Sequence, residues 1–112
     1  MTPEDVVQRQ LEAYNARDLQ RFLAAYSDEV EVFRPPAGEP TISGKLALAE
    51  HYATQRFNLV GLNAKIVNRI VLGNKIIDHE RITGVREQSF DVAAVYEVVN
   101  GLIKSVWFYT AD

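Results

Sequence analysis

At 112 residues the chain suits one domain, 1–112, able to bury roughly two-thirds of its unfolded surface. A composition 47% hydrophobic and 24% charged excludes extended disorder. Cysteine is absent, which excludes disulfides, thiolate metal sites and cysteine nucleophiles and fits a reducing cytoplasm, while a net charge of −3 with scattered basic residues lacks the footprint of a nucleic-acid binder.

The start, Met1-Thr2-Pro3-Glu4-Asp5, is acidic where a signal peptide is basic, and no apolar run reaches membrane-spanning length. Thr2 can cap a first helix, with Pro3 in its first turn and Asp5 completing an approximate capping box. Val6, Val7, Leu11 and Tyr14 form its apolar stripe. Asp18 can cap a second helix in which Leu19, Phe22, Leu23 and Tyr26 recur at helical spacing, ended by Ser27-Asp28. A short strand from Val30 to Arg34 stops at Pro35-Pro36, and a third helix runs roughly from Gly44 to Phe57.

From Asn63 the pattern is β, with hairpin turns at Gly73-Asn74 and Asn100-Gly101. Helices first and strands later indicate an α+β fold. Counting out from the first turn sets Arg69 opposite Asp78, Asn68 opposite His79 and Val67 opposite Glu80. One face then holds Lys65, Arg69, Asp78 and Glu80. The other, with Ile66, Asn68, Ile70, Ile77, His79, Arg81 and Thr83, reads as a pocket wall. At the second turn Glu97 falls opposite Lys104 and Val95 opposite Val106, with Tyr96, Ser105, Trp107 and Tyr109 on the reverse face. A sheet apolar on both sides needs a second cover, so a homodimer through Tyr96, Trp107 and Tyr109 is expected.

Several stretches carry a family resemblance: Tyr14-Asn15-Ala16-Arg17-Asp18-Leu19, Ala25-Tyr26-Ser27-Asp28-Glu29-Val30, Arg34-Pro35-Pro36 with Ser43-Gly44, and the run Val95 to Ile103. In these, and in its order of elements, nearly the whole chain resembles the nuclear transport factor 2-like superfamily, in its SnoaL-like and ketosteroid-isomerase-like branch. The resemblance implies a cone, three helices packed on a curved antiparallel sheet around a pocket. It does not fix a reaction, because members include isomerases, epoxide hydrolases, cyclases, dehydratases and domains without catalysis.

Ketosteroid isomerases use an Asp base with an oxyanion hole of Tyr and protonated Asp. Against that pattern Gln10 stands where the oxyanion tyrosine would be, Arg34 where the base would be, and Val95 or Tyr96 where the second acid would be. Tyr26 and Tyr52 match supporting tyrosines around a missing centre. Limonene-epoxide hydrolases match at Arg81, but their two carboxylate positions correspond to Thr83 and approximately Phe108, so the water-activating pair is not evident.

The remaining candidates are Tyr14, Tyr26, Arg34, Tyr52, His79, Arg81 and Glu97, with Val95 and Phe108 as ligand-facing wall. His79 has the unperturbed pKa best suited to proton transfer near neutrality. A half-buried histidine opposite Asn68 is more often structural, satisfying one hydrogen bond. Arg34 and Arg81 need compensation, either from Glu97 or from a ligand anion. No phosphate-cradling glycine loop, Gly-x-Ser-x-Gly or His-Glu-x-x-His motif occurs, and neither metal nor cofactor is expected. Two functions remain: binding of a small apolar or aromatic molecule, anionic if the guanidiniums lack partners, or cofactor-independent isomerase, lyase or cyclase chemistry using His79.

Overall fold

The computed structural model describes residues 1–111. Helix α1 (Pro3–Asn15) starts where the Asp5 N–H donates to Thr2 Oγ1 and the Thr2 N–H donates to the Asp5 carboxylate, closing the capping box. Its buried face carries Val6, Val7, Gln10, Leu11 and Tyr14. Asp18 caps α2 (Leu19–Ala24) by accepting from the Arg21 N–H. Phe22, fully buried, has its ring centroid 4.6 Å from that of Tyr52 and 4.9 Å from that of Tyr26.

The second helix is shorter than its apolar spacing suggests, and Tyr26 opens strand β1 (Tyr26–Phe33). The reason is tertiary: the Ile103 N–H donates to the Ala25 carbonyl, drawing the chain into the sheet beside a strand far off in sequence. Strand β2 (Ile42–Ser43) and helix α3 (Lys45–Gln55) follow, then four long strands: β3 (Asn63–Leu72), β4 (Lys75–Thr83), β5 (Phe90–Val99) and β6 (Leu102–Thr110). The last two meet in a turn where Asn100 and Gly101 both have positive φ.

These strands form one six-stranded sheet in the order β2-β1-β6-β5-β4-β3, and the helices cover one face of it. Because β1 runs parallel to β6, the sheet is mixed, a correction to the expected antiparallel one. The parallel pair links residues about 75 positions apart, a separation that hairpin counting does not reach.

Two bulges re-aim the sheet. Asn68 lies opposite His79 and Arg69 opposite Asp78 as counted, but Ile66 lies opposite Glu80 and Lys65 opposite Arg81, so Val67 is the extra residue. Across the second hairpin Val98 pairs with Ile103, yet Glu97 pairs with Ser105, Tyr96 with Val106 and Val95 with Trp107, leaving Lys104 as the extra residue. A one-residue slip exchanges the faces.

The expected faces of β4 are reversed. Ile76, Asp78, Glu80 and Ile82 are buried, whereas His79, Arg81 and Thr83 are exposed. Acids can lie inward because each has a partner. Arg69 grips Asp78 with two bonds of 2.7 and 2.9 Å and also donates to Gln8 of α1 at 2.9 Å, and Glu80 accepts from Tyr96. No helix of the described residues is long and apolar enough to cross a membrane.

Candidate functional site

Between the helices and the inner sheet face lies a cavity of about 120 Å³. Its wall is apolar and aromatic, with Leu11 and Tyr14 from α1, Tyr52 from α3, Ile82 from β4, Phe90 and Val92 from β5, and Phe108 from β6. The polar groups divide by depth. Gln10, Glu80 and Tyr96 are buried, while Arg34 and Arg86 are exposed and Arg56 is half-buried.

The buried groups form a directed hydrogen-bond chain. Tyr26 O–H donates to Gln10 Oε1 at 3.1 Å, Gln10 Nε2 approaches Tyr96 Oη at 3.5 Å, and Tyr96 O–H donates to Glu80 Oε2 at 3.2 Å. Alternation along β4 and β5 aims Glu80 and Tyr96 inward, and helical spacing puts Gln10 on the same side of α1 as Val6, Val7 and Tyr14. The chain ends on a carboxyl that is only 6% exposed.

Burial pushes the Glu80 pKa up to about 7, and the neighbouring Asp78 charge pushes the same way; the Tyr96 hydrogen bond and Arg69 oppose it. Near neutrality this group exists as both acid and base. Desolvation also raises the tyrosines, Tyr52 to about 12 and Tyr14, Tyr26 and Tyr96 well above the ordinary value, so all four remain hydroxyl donors.

The rim is cationic. The Arg34 guanidinium lies 5.0 Å from the Phe108 ring centroid and that of Arg86 4.1 Å from the Phe90 ring centroid. Loop 84–89 brings Val85 and Arg86 to the cavity after Gly84 passes so close to the Gly61 carbonyl that a Cβ there would clash. Among the described residues no carboxylate stands within ion-pairing distance of Arg34, Arg56 or Arg86.

Of the residues expected from sequence, Tyr14, Tyr52, Arg34 and Phe108 line the cavity, and Tyr26 touches it through Gln10. His79 and Arg81 do not. They lie on the outer face, both bound to Asp91, His79 Nε2 at 2.8 Å and Arg81 Nε at 3.0 Å. Val95 also faces outward, opposite Trp107, and Glu97 pairs with Lys75 at 3.4 Å, so it compensates neither Arg34 nor Arg81. Tyr96, expected on the outer surface, is in the cavity wall. The common cause is the pair of bulges and the choice of face on β4.

Glu80, Arg56 and Arg86 were missed. A signal for Glu80 existed in β5, where Val92, Ala94 and Tyr96 alternate cleanly and pair with Glu80, Asp78 and Ile76. Among the described residues no group of three or more His, Asp or Glu side chains is placed to hold a metal ion.

The cone and its cavity define a small α+β domain of nuclear transport factor 2 type. A SnoaL-like domain profile matches residues 7–106, and the chain belongs to that family. Comparison with curated protein sequences gives no significant match. Similar solved structures include the Delta 5-3-ketosteroid isomerase from Mycobacterium sp., 19% identical over 97% of this chain and 93% of that one, with a TM-score of 0.82. An uncharacterized cystatin-fold protein from Novosphingobium aromaticivorans is 22% identical over 96% and 97%, at 0.78. A computationally designed 17-OHP binder is 17% identical over 100% and 94%, at 0.85. At these identities the likeness is one of fold.

Proposed function

We propose that this chain binds a small, partly apolar organic anion in the cone cavity. The observation that carries the reading is the cationic rim: Arg34, Arg56 and Arg86 border an aromatic wall with no described carboxylate to neutralise them. Unpaired guanidiniums around a concave apolar site favour an anionic head with an apolar body. The size sets the scale. A cavity of about 150 Å³ holds benzene, so about 120 Å³ suits one ring, its charged end reaching the open rim, and not a fused steroid nucleus.

Titration calorimetry with benzoate and benzamide, which share a ring and differ in charge, tests this reading. The acid is expected to bind at least about tenfold more tightly, from charge-assisted hydrogen bonds of roughly 1.5–3 kcal/mol, and Arg34→Ala with Arg86→Ala should erase the preference. Equal binding of acid and amide would defeat the reading.

A second reading, cofactor-independent isomerase, lyase or cyclase chemistry, is favoured by one observation: a carboxyl poised near neutrality in the cavity. Glu80 takes the place first given to His79, which lies outside. With any substrate found, Glu80→Gln should abolish turnover and His79→Ala leave it intact; the reverse result would sink this reading.

We further propose that residues 1–112 act as one unit, in the cytoplasm, as a homodimer. Support for the dimer comes from an apolar row that crosses the outer face from Phe33 through Trp107, Val95 and Ile77 to Ile70. Tyr109 lies beside it, and Tyr96 has no part in it. Sedimentation should give a dimer for the native chain and a monomer for Trp107→Glu.

A further inference from the structure

The cavity is chemically two-ended, which says more about its ligand than charge alone does. Its rim is a set of guanidiniums; its floor is Glu80, with one carboxyl oxygen occupied by Tyr96 and the other not bonded to any described group. The geometry points to a ligand that is a small oxo-acid: its carboxylate lies at the arginine rim and its carbonyl accepts a hydrogen bond from the protonated carboxyl of Glu80 at the floor. This inference rests on the anion reading above and adds the inner end of the molecule to it.

An acceptor, not a donor, is expected there for an electrostatic reason. A bound carboxylate and an ionised Glu80 in one small cavity repel, so anion binding favours the neutral acid, which can donate. The groups around Glu80 divide: burial and Asp78 favour the neutral acid, and the weaker effects of Tyr96 and Arg69 oppose them. Asp78, two residues along the same strand face, disfavours a second negative charge even though Arg69 of β3 neutralises part of it. Tyr96 of β5 supplies its proton to Oε2, and Tyr14, Tyr26 and Tyr52, from α1, β1 and α3, stay protonated and offer no charge. Binding therefore takes up a proton. Carbonyl recognition by a carboxylic acid in an apolar site also discriminates strongly, because an analogue without the acceptor leaves the buried donor unpaired.

The test compares 4-formylbenzoate with 4-vinylbenzoate, nearly equal in shape but differing in the acceptor, by titration calorimetry at pH 6 and pH 8. With Glu80 near 7, formylbenzoate should bind about tenfold more tightly at pH 6 than at pH 8, whereas vinylbenzoate, which meets the same charge repulsion but accepts no hydrogen bond, should bind more weakly at pH 6 and show a smaller pH ratio. Glu80→Gln, which keeps a donor at every pH, should hold formylbenzoate with no pH dependence. Glu80→Leu should lose the preference for formyl over vinyl. Equal affinity for the two acids in the native protein at pH 6, or a pH ratio that survives Glu80→Gln, would overturn the inference while leaving the anion reading standing. Binding of 4-formylbenzamide as tightly as the acid would overturn the anion reading instead, since the carbonyl end is unchanged between them.

Discussion

Neighbouring positions on β4 and β5 place two carboxyls in opposite circumstances. Glu80 faces inward and is pushed up to about 7, first by burial and then by the Asp78 charge. Asp91 faces outward and is held down to about 2, first by hydrogen bonds from Arg81 and then by those from His79. Both belong to polar clusters with shifted titration, yet only one cluster borders a cavity. The outer cluster of His79, Arg81 and Asp91 couples a histidine to a carboxylate, as acid–base sites do, but has the solvent exposure of a surface salt bridge. What separates a site from a surface here is desolvation, which residue type alone does not report.

The largest expected contrast is in stability. Arg69→Met leaves Asp78, 0% exposed, without its bidentate partner, and should cost about 3–5 kcal/mol in urea unfolding. Arg81→Met, on the outer face, should unfold within error of the native chain. A large loss at Arg81 would break the contrast.

The next effect is a pH slope. Glu80 titrates higher in the folded chain than its ordinary 4.5, so the native state holds the extra proton between about 4.5 and 7. Stability should therefore be greatest at the acid side of that window and fall by about 3 kcal/mol as pH rises through it. Glu80→Gln should flatten the fall. Asp91 has the opposite sign: its contribution is present above its ordinary 3.8 and is lost as pH drops toward 2, outside the Glu80 window.

Smaller still, Tyr96→Phe removes the hydrogen bond to Glu80 and should cost about 1 kcal/mol while moving the Glu80 titration upward, because that bond favours the ionised form. Smallest of all, His79→Ala should leave cavity binding of 4-formylbenzoate unchanged, as the His79 ring bonds Asp91 on the far face.

Much of the scaffold was legible in the sequence. Thr2 and Asp18 cap the helices expected of them, both hairpin turns fall where the Gly-Asn and Asn-Gly pairs stand, and Arg69 does meet Asp78. These are local signals with local causes. The site was less legible because it depends on parity. The bulge at Val67 and the one at Lys104 each shift pairing by one residue, and nothing in either short stretch announces them. Counting from the turn puts the charged set Lys65, Arg69, Asp78 and Glu80 on the face away from the expected pocket wall, although Ile76 and Ile82 flank the two acids on the inner side. Buried acids are read correctly only when their partners are known, and Tyr96, the partner of Glu80, lies on another strand outside the first hairpin.

The claim that Glu80 is the chemically distinctive end of the cavity is most directly tested by following its side-chain carboxyl carbon by NMR across pH 3–9. A midpoint near 7, well above the ordinary 4.5, is the result predicted here. A midpoint near the ordinary 4.5 would contradict it, since a carboxyl that ionises there is solvated and is not the floor of an apolar pocket.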